Sequence, residues 1–164
     1  MSYSEIDIEH GTWTIPAERS KNHREHSLPL GTLALDIIST VPQVDGRDLL
    51  FGARTDRGFT SWGEGKRALD AKLDDQVRPW TLHDIRRTLA TRMCDIGIEP
   101  HVVEQILNHQ SGHRRGIVGT YNKSKYPHAV QNAVAAWDRH LRALIEGRDE
   151  RKVVAFQQTL TERA

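Results

Sequence analysis

The sequence predicts a mainly α protein with a small antiparallel β-sheet, an α+β fold, on three observations. Apolar residues alternate near the N-terminus, recur at helical spacing from residue 82 onward, and are separated by short polar or glycine-bearing stretches. With 164 residues, 37% of them hydrophobic and 27% charged, the chain has the size and composition of one globular domain with a real core. No apolar run approaches the roughly 18 residues of a membrane span, and Met1 to Gly11 is polar and acidic, so neither a membrane span nor a signal peptide is expected and a cytoplasmic protein fits. The lone cysteine, Cys94, has no partner for an internal disulfide. Beside apolar helical positions, it is expected to be a buried, inert thiol.

Taken in order, Ile6 and Ile8, Trp13 and Ile15, and Leu28 and Leu30 mark strands between residues 5 and 30, punctuated by Glu9-His10-Gly11 and Ser20-Lys21-Asn22. Glu18 to Glu25 then forms the tip joining two strands, with Lys21 exposed on a mobile turn. Leu33, Leu35, Ile37, Ile38 and Val41 suit a short helix ending before Pro42, and Leu49 to Phe51 a brief apolar strand. Residues 55 to 78 are polar, with Trp62 and Leu69 as anchors and Ser61 or Thr60 as a helix cap. Leu82, Ile85, Leu89, Met93 and Ile96 predict a helix over 83–95, stopped by Gly97. Glu99-Pro100 restarts a helix whose apolar face, Val102, Val103, Ile106 and Leu107, runs to Asn108-His109; the pair resembles a helix-turn-helix. A loop bearing Gly and Arg, residues 111 to 119, leads to Tyr121. Pro127 opens the strongest helix, with Val130, Ala133, Val134, Trp137, Leu141, Leu144 and Ile145 on its apolar stripe and Trp137 in the core. The tail from Arg148 carries Val153, Val154, Phe156 and Leu160 among mixed charges, a segment expected to be helical only when docked.

The net charge of +1 is unevenly spread: residues 78 to 125 hold eight Lys or Arg against four Asp or Glu. On the 83–95 helix the apolar stripe spans roughly 80°, with Arg86 about 20° beyond its edge and His83 about 60° further, so the two face one site. A guanidinium and an imidazole at that spacing suit a phosphate, although the spacing alone is more often that of surface decoration. His101, His113, His128 and His140 read as bystanders. The grouping of His101, His109 and His113 lacks the Cys or carboxylate spacing of a zinc site, so no metal or other cofactor is expected.

Three runs stand in order: Leu82-His83-Asp84-Ile85-Arg86-Arg87-Thr88, then Leu107-Asn108-His109, then Gly119-Thr120-Tyr121-Asn122. Together with Trp13 to Asn22 followed by Pro29-Leu30, they resemble the catalytic domain of tyrosine recombinases, in particular prophage integrases, over about residues 5 to 145. The resemblance implies that catalytic-domain fold and a phosphodiester transfer without metal. A phenol ionises near pH 10, so the nucleophile it assigns, Tyr121, needs a base and a positive site. His83 is linked to proton removal, Arg86 to the non-bridging phosphate oxygens, His109 to a hydrogen bond on the same phosphate, and Lys21 to protonation of the departing 5′ oxygen. Arg87, Arg114, Arg115 and Lys123 are candidate DNA contacts. Tyr126, five residues after Tyr121, is the rival nucleophile.

The resemblance further implies double-stranded DNA as partner, a tetramer on two duplexes, and a tail after about residue 148 that tethers protomers. On this reading residues 1–147 are a partial catalytic domain (sheet 5–30, helical part 31–147) and 148–164 a C-terminal tail. Tyr3-Ser4-Glu5-Ile6-Asp7 looks like the end of a stretch that follows the family's Gly-x-Arg-x-x-Glu helix, whose arginine is therefore expected to be absent here and the isolated chain impaired in cutting. The competing readings are a non-cleaving DNA-binding remnant or regulator, a type IB topoisomerase relative, and, with least support, a metal-dependent nuclease.

Overall fold

The structure, a computed structural model, describes residues 1–52, 54, 57–73, 77–109 and 127–148. After a 3-10 turn at Tyr3–Glu5 come three strands, β1 (Ile6–Asp7), β2 (Thr12–Ile15) and β3 (His26–Pro29). They form one antiparallel sheet in the order β1-β2-β3, with Trp13 opposite both Ile6 and Leu28. Five α-helices follow among the described residues: α1 (Thr32–Thr40), α2 (Trp62–Leu73), α3 (Leu82–Asp95), α4 (Pro100–Ile106) and α5 (Pro127–Ile145). The α+β class read from the sequence is the class observed. No described helix is long and apolar enough to cross a membrane.

Local chemistry sets the helix ends. Thr81 and Asp84 form a reciprocal capping box at the start of α3. At its other end Gly97, at φ +88°, donates to Cys94 O, and Ile98 donates to Met93 O, the paired bonds of a Schellman turn. Pro100 then opens α4, where its missing N–H costs nothing. That tight turn folds α4 back on α3, and α5 and the sheet close over the pair. The core is Met93 of α3, Val102 and Val103 of α4, and Val130 and Ala133 of α5, with Leu28 of β3, Leu89 and Trp137 packed against it. Burial of each Val or Met there contributes about 1.5–3 kcal/mol.

A second contact joins α1 to α5 through a charge. Asp138, buried on α5, accepts from Leu33 N and from Thr32 Oγ1, both at 2.8 Å, and pairs with Arg142, which also reaches Asp36. Gly31, at the N-cap of α1, has no side chain to cap the helix, and Asp138 Oδ1 does so from across the fold. Burial pushes the Asp138 carboxyl up in pKa, but the Leu33 N–H, the Thr32 hydroxyl and the Arg142 guanidinium outweigh it and hold the group below its ordinary value.

Several expectations are corrected. Leu49 to Phe51 is no strand: Leu49 makes a single bridge to Ser2, Leu50 is buried, and Phe51 faces solvent, because only the Met1–Tyr3 segment pairs there. Trp62 and Leu69 do not anchor α2, being 58% and 43% exposed; Trp62 instead meets Phe59 edge-on and Lys66 lies over the Trp80 ring. The predicted stripe of α3 is covered only at Leu89 and Met93; Leu82 and Ile85 are exposed because α4 packs on the C-terminal half of the helix, and Ile96, the C-cap residue, is exposed as well. Leu144 and Ile145 are likewise exposed on the last turn of α5. Cys94 is exposed, since Met93 takes the inward position beside it.

Candidate active site

Arg86 is one turn into α3, which its capping box fixes at the N-terminus and Met93 fixes at the C-terminal half. Its guanidinium donates through Nη2 to Leu107 O, at the C-cap of α4. That bond pins the arginine against the turn that carries His109. The turn exists because Asn108 adopts φ +53°, a left-handed backbone that asparagine tolerates better than most residues. His109 N–H then bonds back to Glu104 O at 2.9 Å, leaving the imidazole exposed beside the end of α4.

The hairpin between β2 and β3 reaches the same turn. Asn22 Nδ2 donates to Asn108 Oδ1 at 2.8 Å, Asn108 Nδ2 donates to Ser20 Oγ at 3.3 Å, and Ser20 Oγ donates to Asn22 Oδ1 at 2.6 Å. Ser20 is buried and Asn22 half-buried, while Lys21 between them is exposed. His26 Nε2 also lies 3.3 Å from Ile106 O, a second stitch between β3 and the end of α4. Lys21 is therefore exposed as expected, but the tip that carries it is tied down at both neighbours rather than left as a free turn.

His83 is exposed in the first turn of α3, three residues before Arg86 and hence on the same side of the helix. Arg87 points its Nη1 toward Asp84 Oδ1 at 3.6 Å, an exposed pair that a competing phosphate breaks at little cost. The structure thus brings Arg86, the His109 turn and the Lys21 tip into one hydrogen-bonded assembly, with His83 on the adjoining helical face. Tyr121, Arg114, Arg115 and Lys123, and the rival Tyr126, lie outside the described residues. A hollow of about 540 Å³ lined by Ser2, Glu5, Arg19 and Asp48 holds none of Lys21, His83, Arg86 and His109. Lys21, His83, Arg86 and His109 are all exposed.

Sequence reading missed Ser20, Asn22 and Asn108. The signal available was weak: two amide residues flanking two predicted site residues, Lys21 and His109, with nothing in the order of the chain to pair them. Among the described residues no group of three His, Cys, Asp or Glu side chains is placed to hold a metal ion.

Comparison with known proteins gives two findings. The model of the phage integrase family matches residues 1–128. The prophage integrase IntA of Escherichia coli (strain K12) is 29% identical over 127 residues, a match that covers 76% of this chain and 30% of that protein's length. No solved structure matches.

Proposed function

The chain belongs to the phage integrase family, and from that premise we propose that it acts in site-specific recombination of mobile double-stranded DNA, cutting a strand with Tyr121 through a 3′-phosphotyrosine intermediate. The observation that carries the reading is the Arg86–Leu107 bond, which ties a guanidinium to the turn bearing His109. Guanidinium has five N–H donors, so the bond that orients Arg86 leaves others for the non-bridging oxygens of a scissile phosphate. Charge grows on those oxygens as the phenol attacks phosphorus, and a fixed cation there lowers the barrier by a few kcal/mol. His109 adds a hydrogen bond to the same oxygens. His83 takes or orders the phenolic proton.

As the bond from phosphorus to the 5′ oxygen breaks, Lys21 gives that oxygen a proton. One phosphodiester is exchanged for another, so the reverse attack by a 5′ hydroxyl of a second strand needs no external energy. Arg87, Arg114, Arg115 and Lys123 grip flanking phosphates, residues 1–147 form the catalytic part, and 148–164 tethers protomers of a tetramer on DNA, in the cytoplasm. The 164-residue chain alone is expected to cut weakly, since the resemblance calls for a second phosphate-binding arginine from a Gly-x-Arg-x-x-Glu stretch.

The test is covalent trapping of nicked duplex DNA by the wild type, Tyr121→Phe and Tyr126→Phe. Loss of the adduct in Tyr121→Phe alone supports the assignment; loss in Tyr126→Phe alone overturns it. Sequence-independent binding with no adduct in any variant would make the chain a non-cleaving DNA-binding remnant or regulator.

A further inference from the structure

We propose that Asn108 is a positioning residue for Lys21, clasping the hairpin tip so that its ammonium stands ready beside the Arg86 and His109 turn before DNA arrives. The inference rests on Lys21 being the proton donor proposed above. Its own support is geometric. The ring of hydrogen bonds from Asn22 to Asn108, from Asn108 to Ser20 and from Ser20 to Asn22 encloses the two residues flanking Lys21 and no others. The tip is closed from within as well: Ser20 N donates to Pro16 O and Ala17 O, His23 N to Ser20 O, and Arg24 N to Asn22 Oδ1.

A lysine on a free loop loses much of its rotamer and backbone freedom each time it enters a site. With Ser20 and Asn22 held, only the lysine side chain itself remains to be ordered. The same Asn108 sets the left-handed turn that presents His109, so one residue places two of the groups assigned above to the same phosphodiester. Asparagine fits both duties: its backbone tolerates φ +53°, and its amide offers a donor and an acceptor at once. Glycine would satisfy the first duty and not the second.

That difference supplies the experiment. Asn108→Gly keeps the backbone turn and removes the clasp. Single-turnover cleavage is measured on ordinary duplex DNA and on DNA whose bridging 5′ oxygen at the scissile bond is replaced by sulfur. A thiolate leaves unaided, so only the oxygen substrate needs the lysine proton. Asn108→Gly is expected to slow the oxygen substrate about 10-fold or more, part of the 10²- to 10⁴-fold that proton transfer contributes, and to leave the sulfur substrate near wild type. Asn22→Ala should reproduce this, and the double variant should be no slower than either single one.

Equal slowing on both substrates, or none on either, overturns the clasp. Lys21→Ala is the control for the underlying reading: if sulfur does not rescue it, the assignment of Lys21 as donor fails, whereas rescue of Lys21→Ala without rescue of Asn108→Gly sinks the clasp alone. Backbone ¹⁵N relaxation at Ser20 to His23 decides the matter independently of cutting. Unchanged order there in Asn108→Gly overturns the proposal even where cleavage is too slow to time.

Discussion

Replacing Asp138 by alanine removes the carboxylate that caps α1 from across the fold, and its cost can be worked from the contacts. Leu33 N loses its acceptor at 2.8 Å in a part-buried place, Thr32 Oγ1 loses its own, and Arg142 keeps Asp36 and the Thr32 hydroxyl oxygen. A lost N-cap costs about 1 kcal/mol, and leaving a buried donor unpaired about 1–3 kcal/mol. Because the capped N–H is the orphaned donor, the two overlap, and the expected loss is about 2–3 kcal/mol. In urea, with a slope of about 1–3 kcal/mol per molar, the unfolding midpoint falls by roughly 1 M or more without a change in slope. The pH dependence follows from the depressed carboxyl. A folded-state value below the unfolded one, which is about 3.9, gives stability that is complete above the unfolded value and lost as pH falls through the folded value. The gap between wild type and Asp138→Ala is therefore constant from pH 7 to about pH 5 and narrows below about pH 4. A variant within about 0.5 kcal/mol of wild type at neutral pH, the usual range for an inconsequential surface change, refutes the capping argument.

Three further outcomes are expected. A Cβ at Gly31 would sit 2.4 Å from Asp138 Oδ1, so Gly31→Ala should cost about 1–3 kcal/mol by chemical denaturation and distinctly less in the Asp138→Ala background, where only the Cβ contact at 3.0 Å remains; additive losses would show that crowding of the carboxylate is not the cause. Cys94 is exposed, so a thiol reagent should modify it fully in the native chain at the rate of an unfolded control within about tenfold, and protection until unfolding would contradict its placement. Arg87→Ala should weaken DNA binding uniformly across sequences and reduce the slope of log K against log salt by about 1, while a sequence-selective loss would place Arg87 on a base edge instead.

The helices and the sheet were legible because their signals are local. The alternation around Trp13, the stop at Gly97 and the Pro100 restart each act within a few residues, and the structure places elements there. What periodicity does not carry is how much of an apolar stripe another element will cover. Leu82 and Ile85 have the same spacing as Leu89 and Met93, but α4 is seven residues long and meets only the latter half of α3. Leu144, Ile145, Trp62 and Leu69 are exposed as well, on the ends of α5 and on α2. Partners distant in sequence were illegible for a different reason. Asp138 stands in an apolar stripe where its sequence neighbours give no hint of Thr32 and Leu33, and Asn22 has nothing nearby to suggest Asn108. In the candidate site, Arg86 and His109 were paired through the resemblance and its motif order, and the structure adds the carbonyl of Leu107, which ties Arg86 to the turn before His109.

Asn22 and Asn108 are 86 residues apart, and that interval is also a span of time. A ribosome adding about 5–20 residues per second finishes the hairpin roughly 4–17 s before it makes the turn that receives it. Through that interval Lys21 hangs on a completed loop with no dock, and Arg86, once made, waits a further 21 residues for the Leu107 carbonyl. A nascent chain therefore carries the pieces of the clasp without the clasp itself. The clasp closes only once α4 and the turn after it have been made, when the sheet, α3 and α4 can meet in one folded body.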